Sequence, residues 1–160
     1  MKFVQIICFI TALMFNNIAA AAVSEAPAFK LPALQGEVEL AKLRGKVVYL
    51  DFWASWCIPC RKSFPWMNEM MATYKDQGLE IVAVNLDKDK KQADAFLKKV
   101  EAHFTIAFDQ QGDSAKAYKL RGMPSSYLIG RDGKLYASHI GFRDKDKPIM
   151  EQAIQQLLKQ

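Results

Sequence analysis

Cys57-Ile58-Pro59-Cys60 is the segment of this 160-residue chain with the clearest capacity for chemistry. Two thiols separated by two residues at the first turn of a helix can close a disulfide, and the leading sulfur faces the positive end of the helix dipole. That field favours thiolate over thiol, so Cys57 is expected to be the attacking nucleophile. Cys60, one turn inside, is expected to be shielded and to attack a mixed disulfide formed on Cys57, releasing the reduced partner. Pro59 fits a helix start, because its fixed φ is helical and its missing N–H is not needed there. Six residues ahead of Cys57 stands Asp51, an acid in the middle of an apolar run. Alternation along a strand can point it below the cysteine-bearing helix, where a buried carboxyl has a raised pKa and can take the proton from Cys60. Far downstream, Met123-Pro124 precedes a run of β-formers. A cis bond there would expose the Met123 backbone beside Cys57 to an extended segment of another protein.

Other uses of these residues stay open at this level. A structural disulfide would close a loop too small to constrain the unfolded chain much. A zinc site needs about four ligands, and beyond the cysteine pair only His103, read on a helix, and His139, read in a terminal strand, are candidates. Both histidines read as surface or edge residues, and no metal or other cofactor is expected.

The elements that must position these groups are legible from periodicity. Val47 to Ala54 is a nearly unbroken apolar run, which predicts a central strand buried on both faces. Phe64, Met67, Met70, Met71 and Tyr74 recur at three- and four-residue spacing, predicting a helix that begins at the cysteine pair. Leu79 to Asp87 predicts the next strand, and a helix follows with Ala95, Phe96 and Val100 on one face. Asp87 to Lys91 is a charge run read as a solvated loop and helix start. Thr105 to Phe108 is a short extended piece and Gly112 to Leu120 a short helix. Ser125 to Ile129 and Leu135 to Ile140 predict a hairpin joined by Gly130-Arg131-Asp132-Gly133, where Asp-Gly is the tight-hairpin signal, and Lys145 to Gln160 an amphipathic closing helix. Ahead of all this, Phe29 and Leu31 precede the turn Gln35-Gly36, and Val38 and Leu40, alternating with Glu37 and Glu39, read as a short strand after it. The expected class is α/β with a mixed sheet, one parallel crossover and a terminal hairpin.

Composition narrows the setting. With 22 Lys+Arg against 17 Asp+Glu the net charge is +5, spread through both halves without an aromatic-interleaved basic stripe, so no nucleic-acid partner is expected. Met1-Lys2, the apolar run Phe3 to Phe15 and the ending Ala19-Ala20-Ala21-Ala22 have the three parts of a secretory leader, giving an expected division into a cleaved signal peptide, 1–22, and one domain, 23–160. The apolar centre falls short of the ~18 to 20 residues of a spanning helix, and the alternative is an uncleaved membrane anchor running from Phe3 through Ala22. Removal would take Cys8 with it and leave Cys57 and Cys60 as the only thiols, in an exported and generally oxidising compartment. No spare apolar stripe suggests more than a monomer.

Trp53-Ala54-Ser55-Trp56-Cys57-Ile58-Pro59-Cys60-Arg61, preceded by the strand Val47 to Asp51 and followed far downstream by Gly122-Met123-Pro124-Ser125-Ser126-Tyr127-Leu128-Ile129, resembles the thioredoxin superfamily. Phe29-Lys30-Leu31, Leu43-Arg44-Gly45-Lys46, Phe64-Pro65 and the stretch Asp87 to Phe108 bring it nearer to the exported, TlpA-like branch of thiol-disulfide oxidoreductases, which includes the cytochrome c maturation reductases. The resemblance covers nearly all of Ala26 to Gln160. It implies a thioredoxin fold with an N-terminal hairpin extension and a βα insertion. It also implies Cys57 as nucleophile, Cys60 as resolving thiol, Pro124 as the cis-proline, and Trp56 flanking the reactive sulfur, with Ile58, Pro59 and Met123 in the client-contacting set. Asp51 falls where thioredoxin has its buried Asp. The Glu that many TlpA-like members place three positions after the second cysteine is Ser63 here, and the Lys that accompanies the thioredoxin Asp has no counterpart in the apolar Ile81-Val82-Ala83-Val84.

The expected activity is therefore reduction of disulfides in other exported proteins. Apocytochrome c is one candidate client, and the implied electron donor is a membrane thiol protein. Ile58-Pro59 brings no cation or imidazole to stabilise a Cys57 thiolate further, which leans the pair toward a reductase. Two rival activities need other residues. A thiol peroxidase wants Thr or Ser three residues before its cysteine, where this chain has Ala54; a copper or metal chaperone wants a distant His ligand and wider cysteine spacing.

Overall fold

The computed structural model describes residues 24–160. The expected leader, 1–22, lies outside the described residues, and among the described residues no helix is long and apolar enough to cross a membrane. Eight strands and four α-helices follow one another as β1 (Ser24–Glu25), β2 (Lys30–Pro32), β3 (Glu37–Glu39), β4 (Val47–Trp53), α1 (Cys60–Tyr74), β5 (Leu79–Asn85), α2 (Lys90–Leu97), β6 (Thr105–Phe108), α3 (Asp113–Ala117), β7 (Ser125–Ile129), β8 (Lys134–Ile140) and α4 (Lys147–Leu158).

Six strands form one mixed sheet in the order β1-β8-β7-β4-β5-β6. Every residue of β4 is buried, as its unbroken apolar run requires of a strand covered on both faces. Alternation sorts its side chains. Val47, Tyr49 and Trp53 join the core under α1, α2 and α4, while Val48, Leu50 and Phe52 join a second core with Tyr118, Tyr127 and the N-terminal segment. Aromatic side chains fill much of both layers: Trp53 packs on Phe64 and Phe96, and Phe52 on Tyr118 and Tyr127. Phe96 thereby fixes α2 beside the start of α1.

The structure differs from the sequence reading in three places. There are two parallel crossovers, because β6 pairs parallel with β5, Val82 opposite Thr105 through Asn85 opposite Phe108. The β7–β8 connection is the four-residue loop Gly130 to Gly133, as read from the sequence, closed by Gly130 N–H to Lys134 carbonyl at 2.9 Å. Gly133 has φ +75°, and a Cβ there would meet the Arg44 guanidinium. Leu40 opens a short 3-10 turn, Leu40–Leu43, and the strand ends at Glu39. His103 lies in the loop after α2, not on the helix, 3.5 Å from Glu101.

The N-terminal extension is a separate antiparallel hairpin, Lys30 opposite Glu39 and Pro32 opposite Glu37. It also touches the outer edge of β6: Ala33 bridges Ala107, and Leu34 N–H donates to the Ile106 carbonyl at 3.0 Å. At the other edge β1 pairs with β8, Ser24 opposite Leu135.

Candidate active site

The C-terminal end of β4 delivers the chain into a turn, and α1 leaves from it. Cys57 N–H donates to the Ala54 carbonyl at 3.1 Å and Cys60 N–H to the Cys57 carbonyl at 2.8 Å, winding the turn into the helix. Pro59 precedes the first helical residue with φ −62° and ψ −29°, already helical, as its ring dictates. No acid occupies the first turn of α1, where Arg61 and Lys62 stand instead. The positive end of the helix is therefore unopposed and acts on the sulfur in front of it. Pro65, further in, takes the helical hydrogen bond away from the Arg61 carbonyl.

Cys57 and Cys60 are joined by a disulfide, with their Cα atoms 5.2 Å apart. Cys57 is 4% exposed and Cys60 fully buried. Around them the surface is apolar and open: Trp56 is 67% and Ile58 73% exposed. Such large side chains are uncommon on a surface without a partner to meet. The Met123–Pro124 peptide is cis, Pro124 is buried, and Met123 packs against the core that contains both cysteines. The Ser125 hydroxyl donates to the Gly122 carbonyl at 2.7 Å and Gly141 N–H to the Pro124 carbonyl at 2.8 Å, holding the proline loop from both sides.

Asp51 shares the face of β4 that carries Tyr49 and Trp53, the face covered by the cysteine-bearing helix. It is 1% exposed, and one carboxylate oxygen has no hydrogen-bond partner. Ala83 stands directly opposite on β5, so no cation offsets the burial. Desolvation alone pushes its pKa well above the usual carboxylate range. Ser63, at the position read against the family pattern, is buried and donates to the Cys60 carbonyl at 2.9 Å, contributing no second acid.

Sequence reasoning missed the group that holds the active-site turn. Asp87 was read as the start of a solvated charge run, but it is buried. Its carboxylate accepts the Ser55 backbone N–H at 2.9 Å, the Ser55 hydroxyl at 3.0 Å and the Asn85 side-chain N–H at 2.8 Å. Asn85 in turn accepts the Asp87 N–H at 3.1 Å. Ser55 precedes Cys57 by two residues, so this cluster ties the turn to the end of β5. The available signal was Asn-x-Asp closing a buried strand, a polar pair placed where a strand end needs its backbone satisfied. His139 reads as a surface or edge residue and lies on a part of β8 that β1 does not pair, its side chain about one-third exposed and Nε2 3.3 Å from Asp146.

Residues 23–138 match the family model described as AhpC/TSA family. The chain belongs to the AhpC/TSA family. Among members of known description, it is 38% identical over 124 residues to the thiol-disulfide oxidoreductase ResA of Bacillus thuringiensis subsp. konkukian, covering 77% of this chain and 72% of that protein. To ResA of Geobacillus kaustophilus it is 40% identical over 126 residues, 78% of this chain and 72% of that protein. A crystal structure described as a thiol:disulfide interchange protein DsbE from Chlorobium tepidum superposes with a TM-score of 0.84 at 52% identity, covering 85% of this chain and 96% of that one. Within the AhpC/TSA family the chain is thus a TlpA-like member of the thioredoxin superfamily. It is a thiol-disulfide oxidoreductase with the Cys57–Cys60 pair, acting on cysteine-containing proteins.

Proposed function

We propose that this oxidoreductase is exported and works as a reductase of disulfides in other exported proteins, apocytochrome c among the candidate clients. The dithiol chemistry is carried by the disulfide-bonded cysteine pair at the start of α1, above a desolvated acid on the same face, and the reductase direction by Ile58-Pro59, which adds no cation or imidazole to hold the thiolate. The Cys57 thiolate attacks one sulfur of the client disulfide, forming a mixed disulfide and releasing one client thiolate, which takes a proton from solvent. Asp51 accepts the Cys60 proton. The Cys60 thiolate then attacks the Cys57 sulfur, expelling the second client thiolate and forming the Cys57–Cys60 disulfide, so two electrons pass to the client. A membrane thiol protein on the same side restores the dithiol. Met123, whose backbone makes none of the described main-chain hydrogen bonds, offers a pairing edge to an extended client, with Pro124 fixing it and Trp56, Ile58 and Pro59 forming the contact surface.

The peroxidase alternative needs a hydroxyl where buried Ala54 stands, and a metal chaperone needs further donors, whereas among the described residues no third His, Cys, Asp or Glu gathers with the pair. Two measurements test the proposal. A Cys60→Ser variant expressed with its leader should accumulate mixed disulfides with envelope proteins, and the wild-type pair equilibrated with glutathione should show a potential on the thioredoxin side of the range, near about −270 mV. A potential near about −120 mV, that of the strong oxidants, refutes the reductase direction. Variant protein found only in the cytoplasm refutes export.

A further inference from the structure

Asp51, Ser126 and His139 stand directly opposite one another on three neighbouring strands: Asp51 of β4 faces Ser126 of β7, which faces His139 of β8. Cross-strand partners point to the same face of a sheet, so the three form one polar row on the face under α1 and α4. Asp51 and His139 are two strand spacings apart, about 10 Å. Ser126 and His139 both line a cleft of about 110 Å³ that opens between the sheet and α4, with Tyr49 and Leu128 on its floor and Ile149, Met150 and Ala153 on its helix side. That volume has room for several waters, each needing at least ~10–15 Å³. The Ser126 hydroxyl lies beside the Tyr49 hydroxyl. Burial, and then the nearby Asp51 carboxyl, push the Tyr49 phenol well above its usual value, so it stays neutral.

The two ends of the row contrast. Asp51 is closed off from solvent with an unsatisfied oxygen. The His139 side chain is about one-third exposed, and its Nε2 lies 3.3 Å from Asp146 without the alignment of a hydrogen bond. Arg143 grips the same carboxylate at 2.8 and 3.2 Å and holds Asp146 below the usual carboxylate range. The charged and titratable groups facing His139 are therefore Asp146, with Arg143 behind it, and Tyr49 and Asp51 inward; α4 presents apolar side chains to the cleft.

We propose that Ser126 and His139 form the route by which the buried Asp51 exchanges its proton with solvent. The inference rests on the reading of Asp51 as the proton acceptor for Cys60. An acid in that role must be reset: protonated too early it is unable to accept from Cys60, and deprotonated too early it is unable to return the proton when the disulfide is reduced. In the resetting step the Asp51 carboxyl gives its proton to the Ser126 oxygen or a cleft water, as that group's own proton passes to the free nitrogen of the His139 imidazole. The imidazolium, held beside the Asp146 carboxylate, then loses a proton to solvent. Nothing is oxidised or reduced, and one proton leaves for each carboxyl ionised.

The test reads Asp51 itself. A laser pH jump on the oxidised protein, followed by infrared spectroscopy, reports the carboxylic-acid band that is missing from Asp51→Asn. His139→Gln and Ser126→Ala should each slow the relaxation of that band by at least about tenfold, toward the 10²–10⁴-fold worth of a positioned proton-transfer group. The midpoint pH should stay where it is, added imidazole should restore the rate in His139→Gln, and His103→Gln should change nothing. Unchanged relaxation in either variant, or a slower rate only with a moved midpoint, overturns the relay. The catalytic reading fails separately, if Asp51→Asn resolves the mixed disulfide as fast as wild type.

Discussion

Replacing Asp51 by Asn should remove from the oxidised protein a stability loss that grows as pH rises. In the folded protein burial raises the carboxyl pKa well above its usual value, while in the unfolded chain it returns to about 3.9. Below that value both states hold the proton, and the carboxyl adds no pH dependence. Above it the unfolded chain releases the proton and the folded protein keeps it, so the folded state binds more protons and stability falls as pH rises. One proton makes the slope as large as about 1.4 kcal/mol per pH unit, and the loss levels off only once pH passes the raised native value. Asparagine occupies nearly the same volume and does not ionise, so its curve lacks this contribution. Its amide also needs partners in a site where one carboxylate oxygen already has none, which sets a constant offset but no slope. Urea unfolding of both proteins without reductant at half-unit steps from pH 4 upward isolates the difference. The wild type should lose ground by roughly 1 kcal/mol per unit over the first units above pH 4.5, about 2–6 °C in Tm. Parallel curves would mean that Asp51 is ionised at these pH values in the fold, and the desolvation argument would be wrong.

Other consequences are equally direct. Asp87→Ala leaves the Ser55 N–H and the Asn85 amide without their acceptor; at ~1–3 kcal/mol per stranded buried donor, a loss of about 2–4 kcal/mol is expected in urea melts. Client reduction should slow even where the variant remains folded, since the Cys57 turn is released. Phe64→Ala removes a fully buried ring held between Trp53, Phe96 and Phe104 beneath the first turns of α1, with an expected cost of about 3–5 kcal/mol. Trp56→Ala, at an exposed position, should change stability by less than about 0.5 kcal/mol, yet raise KM for a protein client while leaving reaction with a small disulfide unchanged. Equal losses on both substrates would deny Trp56 a client-contacting role.

Much of the site was legible because its parts follow local rules. A Cys-x-x-Cys at the start of an apolar-periodic stretch predicts a helix-borne pair, and Val47 to Trp53 reads as a central strand from composition alone. Even the side of β4 on which Asp51 lies follows from alternation once Tyr49 and Trp53 are known to face the same way. What was hidden depends on contacts between distant segments. Thr105 to Phe108 is four residues of ordinary β-former, and nothing local says that it adds a second parallel crossover. Asp87 opens a run of charges and looks solvated, and only the approach of Ser55, 32 positions earlier, gives its carboxylate a buried task.

The stretch from Glu25 to Ala33 has a mechanical consequence. Its start is paired beside β8 and its end is bridged beyond β6, so it runs beneath the whole width of the six-stranded sheet. Six inter-strand gaps of ~4.8 Å make a span of about 29 Å. Eight residue steps reach at most about 26–29 Å. The crossing has little chain to spare, and Phe29 is buried in the aromatic layer of Phe52, Tyr118 and Tyr127. Losing one residue between the two anchor points forces one of them to let go, whereas an added residue can bulge outward. Length, more than side-chain identity, is the constrained property of this segment.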